Sequence, residues 1–436
     1  MAELLDEALD WLQIPSISAG ARDEASLRHA AEWAAVRIRR AGGTAELVPT
    51  PGGAPLVVGE LRSPRKSAKT VMIYGHYDVQ DPGDLEDWTT PPFEPTIRDG
   101  RVFARGATDD KGNFLPLLHV ACKLASTADL PVNIRVLIEG AEETGSDDVG
   151  KWVLADARGA DAVIVFDSGM VDAETPALTT ATRGMVFAHI EVRTGTQTAH
   201  SGMYGGAALN AFHALHRALN AVLPGADGRL PEPLRAGVKP PSEAEIASWA
   251  SLPPGESELA QVGARPSDPA AATEFYVRTT AEPSLDVHRI EGGQARTIVV
   301  PVATADLSVR LVGDQRSEEI ARALEELLRG ALPDGAELIF SADRAEPSSF
   351  DPESPVLQAA RRALTKSFGR EPALVRSGGT LPILAAFAER GIPAIVSGFS
   401  LPDDGLHAPD ESYRLVALEQ GQKAASALYE ELAALK

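Results

Sequence analysis

Gly75-His76-Tyr77-Asp78 and Gly140-Ala141-Glu142-Glu143-Thr144-Gly145 are the two stretches that decide the fold and the chemistry of this chain. Each follows an apolar run typical of a buried strand, at 70–74 and 133–138. Such a strand delivers the side chains after it to the edge of a sheet, where α/β enzymes place their chemistry. A third polar turn, 107–113, precedes an apolar helical run. Three such loops, rich in Asp, Glu and His but without Cys, predict a divalent metal site with nitrogen and oxygen ligands.

Composition narrows the class of protein. A chain of 436 residues is expected to form more than one domain. The formal net charge of -21 argues against a nucleic-acid partner, since phosphate binding needs clustered Lys and Arg. Cys122 is the single cysteine, which excludes an internal disulfide, and it is expected to be a small core residue. No signal peptide and no apolar run of about 18 residues is visible, so we expect a cytoplasmic enzyme with no membrane partner.

The order of the predicted elements suggests a domain in two pieces. Strands alternate with helices over 24–166, which predicts an α/β fold with a mostly parallel sheet sandwiched by helices. After 184 the pattern becomes strand, helix, strands, helix, strand, as in an inserted two-layer α+β domain. We therefore predict one domain from 1–184 plus 348–436, and an insertion at 185–347. The stretch 224–269, rich in Pro, Ser and Ala, is expected to be an ordered part of the insertion.

His76 and Asp78 stand two residues apart at a strand end and should point the same way. Asp78 could then accept a hydrogen bond from the ring nitrogen of His76 that does not bind a metal, which fixes the tautomer of the ligand. Taken alone, the pair also fits a polar strand end without a ligand.

Glu142 and Glu143 are adjacent carboxylates behind a buried strand, and such a pair repels unless it finds a cation or shares a proton. Neighbouring side chains in a turn diverge, so one could bind a metal while the other faces a water on it. A solvated acidic turn is the alternative for this pair alone.

Two ions can share one carboxylate, because its two oxygens reach metals about 3.5–4 Å apart. Asp109 is the candidate for this bridge. His76 and Asp167 could complete one site, and Glu143 and His407 the other. Nitrogen and oxygen ligands of this kind suit Zn²⁺ first, with Mn²⁺ or Co²⁺ as alternatives.

The residues of these motifs and their order along the chain resemble those of the co-catalytic di-metal peptidases. This family includes cytosolic non-specific dipeptidase, carnosinase, glutamate carboxypeptidase and the aminoacylases. The resemblance runs from about residue 12 to the C-terminus. It is carried by Gly75-His76-Tyr77-Asp78-Val79-Gln80, by 88–95, by 105–112, by Glu142-Glu143, by 199–206 and by Ser377-Gly378-Gly379-Thr380. The dipeptidases look most similar, because of the sequence motif at 200–206 and the aspartate at 167.

The resemblance implies a mechanism for the centre. Glu142 would be the general base for a water between the two ions, Asp78 would orient His76, and the Asp109–Asp110 peptide would be cis. The implied substrates are dipeptides or short peptides with a free C-terminal carboxylate. An N-acyl amino acid amidohydrolase with the same centre is the alternative. Thr380, where the similar dipeptidases tend to carry serine, leaves side-chain preference open.

The resemblance also implies that the insertion is a lid and dimerisation domain. His200 would come from the partner subunit of a homodimer and stabilise the oxyanion. Arg310 would bind the substrate carboxylate, although pairing with a local acid remains open for this arginine. Thr297, Gly378, Gly379 and Thr380 would contact the bound peptide.

Overall fold

The computed structural model describes residues 2–379 and 381–435. Its helices, in chain order, are α1 Ala2–Leu12, α2 Glu24–Arg40, α3 Lys111–Ser126, α4 Asp147–Ala155, α5 Ser201–Tyr204, α6 Ala211–Asn220, α7 Glu243–Trp249, α8 Gly255–Gln261, α9 Ser317–Gly330, α10 Pro355–Phe368, α11 Pro382–Glu389 and α12 Leu415–Ala433. Its strands are β1 Thr44–Val48, β2 Leu56–Leu61, β3 Thr70–His76, β4 Thr96–Arg98, β5 Arg101–Phe103, β6 Asn133–Glu139, β7 Ala162–Phe166, β8 Ala177–Thr182, β9 Gly184–Arg193, β10 Ala199–His200, β11 Ser284–Gly292, β12 Ile298–Val299, β13 Val302–Leu311, β14 Glu337–Ala345, β15 Ser348–Ser349, β16 Ala373–Ser377, β17 Ala394–Ser397 and β18 Ser412–Arg414.

The largest sheet has the strand order β1-β2-β6-β3-β7-β17-β8-β15, with β16 paired to β8. Its four central strands, β6, β3, β7 and β17, are parallel. Helices α3 and α4 make the crossovers that parallel neighbours require. The predicted α/β class is confirmed, but the sheet is mixed rather than mostly parallel, because β1, β2, β8 and β15 pair antiparallel at its two flanks.

The parallel centre of the sheet positions the polar loops. Strands β3, β6 and β7 are buried along nearly their whole length, which is why their sequences are almost continuously apolar. Because parallel strands end at a common edge, His76, the Glu142-Glu143 turn and Asp167 follow β3, β6 and β7 to one side of the sheet.

The chain divides into two compact units. The first comprises residues 1–180, 350–375 and 382–436, and the second comprises 181–349 and 376–381. The short stretch 376–381 groups with the second unit, whereas the sequence placed it in the flanking domain. The assignment of the two units as catalytic and lid domains stays a prediction.

The second unit is built on an antiparallel sheet with the order β11-β13-β9-β14. Alternate residues of β9 and β13 face an apolar core with α6 and α9, for example Val186, Ile190 and Leu307. The arrangement is that of the expected α+β insertion. Strand β11, at the edge of this sheet, was not predicted.

Among residues 2–379 and 381–435, no helix combines the length and the apolar character needed to cross a lipid bilayer.

Candidate metal centre

His76 ends the central strand β3, and its side chain is completely buried. Its Nε2 lies 3.0 Å from Oδ1 of Asp109. Its Nδ1 lies 3.1 Å from the main-chain oxygen of Asp78 and 3.4 Å from Oδ1 of the same residue. The ring is therefore held from behind by Asp78, but the nearer acceptor is the carbonyl and not the carboxylate expected from the sequence.

The carboxylate of Asp78 has other partners. It accepts a hydrogen bond from the hydroxyl of Ser18 at 2.6 Å, and it accepts the backbone N–H groups of Glu142 at 3.3 Å and Glu143 at 3.2 Å. Asp78 thus links the histidine on β3 to the acidic turn after β6. The contribution of Ser18, which lies 60 residues away in sequence, was missed by the sequence analysis.

Asp109 lies at the point where the two histidines meet. Its Oδ1 faces His76, and its Oδ2 lies 2.8 Å from Nε2 of His407. The peptide bond between Asp109 and Asp110 is cis, as the resemblance implies. His407 has a φ angle of 57°, in the left-handed region that residues other than glycine seldom occupy. Such backbone outliers concentrate at functional sites.

The five predicted ligands form two groups of three. Ligand atoms of His76, Asp109 and Asp167 lie within 4.8 Å of one another, and so do those of Asp109, Glu143 and His407. Asp109 belongs to both groups. The structure therefore brings together the residues that the sequence proposed for each ion, while their role as ligands remains a prediction.

The pKa shifts of the clustered residues are those expected of a site that favours bound cations. Burial and the nearby Asp109 and Glu143 raise the pKa of Asp167 to about 7, although His76 opposes the shift. The hydrogen bonds to Asp109 and Glu143 raise the pKa of His407 to about 10. Metal ions bound at this cluster would supply the positive charge that its buried carboxylates lack and would displace the protons of these groups.

The hydrogen bonds of Glu143 also favour a bound cation. Its Oε2 accepts a hydrogen bond from Nε2 of Gln80 at 2.8 Å and lies 3.3 Å from Nε2 of His407. Its Oε1 is buried and has no donor within the described ranges. A buried carboxylate oxygen without a donor is costly, and a cation would satisfy it.

Glu142 is the half-buried neighbour of Glu143 in the short 3₁₀ turn Glu142–Thr144. Burial raises its pKa to about 8, with further contributions from Asp167 and Asp109 against the opposing charge of His76. No side-chain hydrogen bond holds its carboxylate in the part of the chain that the structure describes, so it is available to a molecule bound at the centre.

Glu411 is a second residue that the sequence analysis missed. It is completely buried, and Oε1 accepts the backbone N–H groups of Thr108 at 2.8 Å and Asp109 at 3.2 Å. Oε2 accepts Nη1 of Arg105 at 2.7 Å and the N–H of Gly106 at 2.9 Å. Glu411 therefore fixes the loop that presents Asp109.

The remaining predicted residues lie in the second unit. His200 is exposed, its Nδ1 accepts the N–H of Gly202 at 3.1 Å, and it pairs with Ile298 across β10 and β12. The oxygen of the exposed Thr297 accepts the N–H of Ser201 at 3.0 Å, so the structure brings His200 and Thr297 close together.

Arg310 lies on β13, opposite Met185 on β9 and Ser284 on β11, and is half-buried. Within the described ranges no acid pairs with it, which leaves its guanidinium available. Gly378 and Gly379 are exposed in the loop after β16. Thr380 lies outside the described residues.

Comparison with known proteins places this centre in a family. The model of peptidase family M20/M25/M40 matches residues 72–431. The chain belongs to peptidase family M20/M25/M40. The predicted resemblance to the di-metal peptidases is thereby confirmed, and the predicted class of enzyme, a metal-dependent peptidase, is confirmed with it.

Individual proteins also match along most of the chain. The cysteinylglycine-S-conjugate dipeptidase of Corynebacterium striatum is 30% identical over 397 residues, which cover 88% of this chain and 85% of the relative. The Beta-Ala-His dipeptidase of Homo sapiens is 29% identical over 404 residues, which cover 87% of this chain and 78% of the relative. The crystal structure of the M20 family metallo-carboxypeptidase Sso-CP2 from Sulfolobus solfataricus superposes with a TM-score of 0.84 at 25% identity, over 100% of both chains.

Proposed function

We propose that this peptidase hydrolyses the peptide bond of dipeptides or short peptides that carry a free C-terminal carboxylate. The observation that carries the proposal is Asp109, whose two oxygens each face an imidazole and which belongs to both ligand groups. Two of the matched relatives are named as dipeptidases, which supports the same class of substrate.

The ligand groups suggest which residues hold the ions. His76 and Asp167 would hold one, Glu143 and His407 the other, and Asp109 both. Two divalent ions bound there would supply a water of lowered pKa and polarise the carbonyl oxygen of the substrate. We propose Zn²⁺ as the metal, with Mn²⁺ or Co²⁺ as alternatives, because the ligand atoms are nitrogen and oxygen without sulfur.

Glu142 is proposed as the general base. Its half-buried carboxylate is free of side-chain hydrogen bonds among the described residues, so it can accept the proton of the attacking water at an Oε atom. It would then deliver a proton to the leaving amine. Asp78 keeps Glu142 in place through the backbone N–H at 3.3 Å.

The second unit would supply the contacts to the substrate. Arg310 carries a forked guanidinium suited to a carboxylate, and Gly378 and Gly379 expose backbone groups. Thr297 and, from the sequence alone, Thr380 are proposed to contact the peptide. His200 would stabilise the oxyanion from the partner subunit of a homodimer formed through 185–347. A cytoplasmic location is proposed as well.

A substrate panel on metal-stripped protein tests the proposal. The protein is stripped with a chelator, Zn²⁺, Mn²⁺ or Co²⁺ is restored, and turnover is measured on dipeptides, an amidated dipeptide and an N-acetylated amino acid. We expect hydrolysis of dipeptides to return with metal and to be lost when the C-terminal carboxylate is amidated. Activity on the acetylated amino acid alone would instead identify an amidohydrolase.

A further inference from the structure

A buried ion pair joins the segment 224–269 to the loop that contains Gly378 and Gly379. Nε of Arg376 donates to Oε1 of Glu245 at 2.7 Å, and Nη2 donates to Oε2 at 3.0 Å. The side chains of Arg376 and Glu245 are only 11% and 5% exposed. A two-point contact of this kind fixes the direction of the guanidinium as well as its position.

Glu245 is itself held rigidly by the start of helix α7. Its Oε2 accepts the N–H and the hydroxyl of Ser242, both at 2.8 Å, and Oγ of Ser242 accepts the N–H of Glu245 in return. Trp249, one turn further along the same helix, is buried, and the centroid of its ring lies 5.8 Å from the guanidinium carbon of Arg376. The helix therefore presents a fixed anion and an aromatic ring to one arginine.

Arg376 is followed directly by the loop that contains Gly378 and Gly379. Gly378 and Gly379 are exposed and have no side chains with which to pack. The N–H of Gly379 donates to Oγ of Ser377 at 3.1 Å, and the oxygen of Gly379 accepts the N–H of Arg183 at 3.1 Å. Arg376 is thus the side-chain anchor at the start of the loop, and Arg183 is a backbone anchor at its far end.

We propose that Arg376 and Glu245 are positioning residues for substrate binding, and that helix α7 holds the backbone groups of Gly378 and Gly379 in their binding conformation. The inference rests on the proposed function, in which these glycines contact the peptide. It gives the segment 224–269 a role in recognition. Loss of the Glu245 charge would leave the guanidinium of Arg376 buried without its carboxylate, and loss of the guanidinium would remove the anchor itself, so the loop would move away from its site.

Kinetics on a set of matched variants test the proposal. Glu245→Gln, Arg376→Gln and the double variant are compared with Arg278→Gln on hydrolysis of alanylalanine with Mn²⁺ present. Arg278 forms a similar two-point pair with Asp268, which lies in the segment 224–269, but this pair does not adjoin the glycine loop. Arg376→Lys replaces Arg376→Gln if the latter does not fold.

Because the glycines would bind ground state and transition state alike, we expect KM to rise about tenfold and kcat to stay within about twofold. The double variant should be no worse than either single variant, since one lost charge already releases the loop. Arg278→Gln should lower the melting temperature without changing KM. Calorimetric Kd values for alanylalanine, measured in a Glu142→Gln background, should rise by the same factor.

An unchanged KM in both single variants, or a fall in kcat alone, would overturn the inference. These results are distinct from failure of the proposed function, in which the unmodified enzyme would already fail to hydrolyse alanylalanine.

Discussion

At the scale of single residues, Glu411 shows how the protein holds the carboxylate of Asp109, which is proposed to bridge the two ions. Four donors converge on its two oxygens, three of them backbone N–H groups between Gly106 and Asp109. A side chain with one oxygen and one NH₂ group cannot accept all four. The orientation of Asp109, and with it the spacing of both ligand groups, therefore depends on a residue that need not touch a metal.

Glu411→Gln should weaken metal binding about 10- to 100-fold, as is typical when the support of a ligand is lost. It should also lower the free energy of unfolding by about 3 kcal/mol, because Arg105 loses its buried partner. Titration of the stripped protein with Zn²⁺ and urea unfolding measure the two effects. Asp156→Asn, which breaks the buried Arg135–Asp156 pair at 2.6 Å, is the control for stability. Equal metal affinity in Glu411→Gln and the control would contradict this role.

The candidate ligands could be predicted because each follows an apolar run or stands in a short polar motif. The short motif around each of them is enough to identify His76, Asp109 and Glu143 as candidates. Ser18 and Glu411 do not, since they act on residues 60 and 303 positions away and by hydrogen bonds to backbone groups. The sequence around Ser18 and Glu411 gives no sign of these long-range hydrogen bonds.

At the scale of elements, the conformation of the chain after β6 requires the backbone at Gly140 to pass close to the ring of Tyr77. A methyl group at Gly140 would overlap the ring of Tyr77, which is buried and donates its hydroxyl to the oxygen of Pro55 at 2.7 Å. Only glycine lets the strand pass this ring and turn directly into Glu142 and Glu143.

Gly140→Ala should therefore lower the free energy of unfolding by about 1–3 kcal/mol, the range typical of overpacking. Urea unfolding measures the change. Gly150, in the nearby helix α4, has no atom within 4 Å of an added methyl group. Gly150→Ala should be neutral or stabilise by up to about 1 kcal/mol. Equal stability of the two variants would show that the approach to Tyr77 imposes no constraint.

The central strands could be predicted from apolar runs, but the edges could not. Strand β11 was missed because six of its nine residues are exposed and a bulge between Val287 and Arg289 interrupts its alternation. The antiparallel flanks of the main sheet were missed for a related reason. Strand direction depends on connections and partners, and the sequence of a strand such as β8 does not encode it.

At the scale of the whole molecule, the proposed homodimer predicts complementation between two inactive variants. Glu142→Ala lacks the base but keeps His200, and His200→Ala lacks the histidine but keeps Glu142. If His200 acts in the partner's site, each mixed dimer contains one complete site, and a 1:1 mixture should regain about a quarter of normal turnover. Turnover after refolding the two variants together measures this. A mixture no more active than its separate components would contradict the proposed exchange.

The sequence predicts a domain boundary from the change in the pattern of elements near 184 and its return near 348, and the structure divides into units after 180 and before 350. The attachment of 376–381 to the second unit could not be predicted. The Arg376–Glu245 pair and the backbone contact between Arg183 and Gly379 connect this stretch to the second unit, and both join segments far apart in sequence.

The most direct test of the central claim compares two neighbouring glutamates by metal content and turnover. The claim is that Glu143 holds a metal while Glu142 moves a proton. Glu142→Ala should bind two ions per chain by elemental analysis yet lose turnover by roughly 10²- to 10⁴-fold, the usual contribution of a general base. Glu143→Ala should bind only one ion. Normal turnover in Glu142→Ala, or two tightly bound ions in Glu143→Ala, would contradict the account.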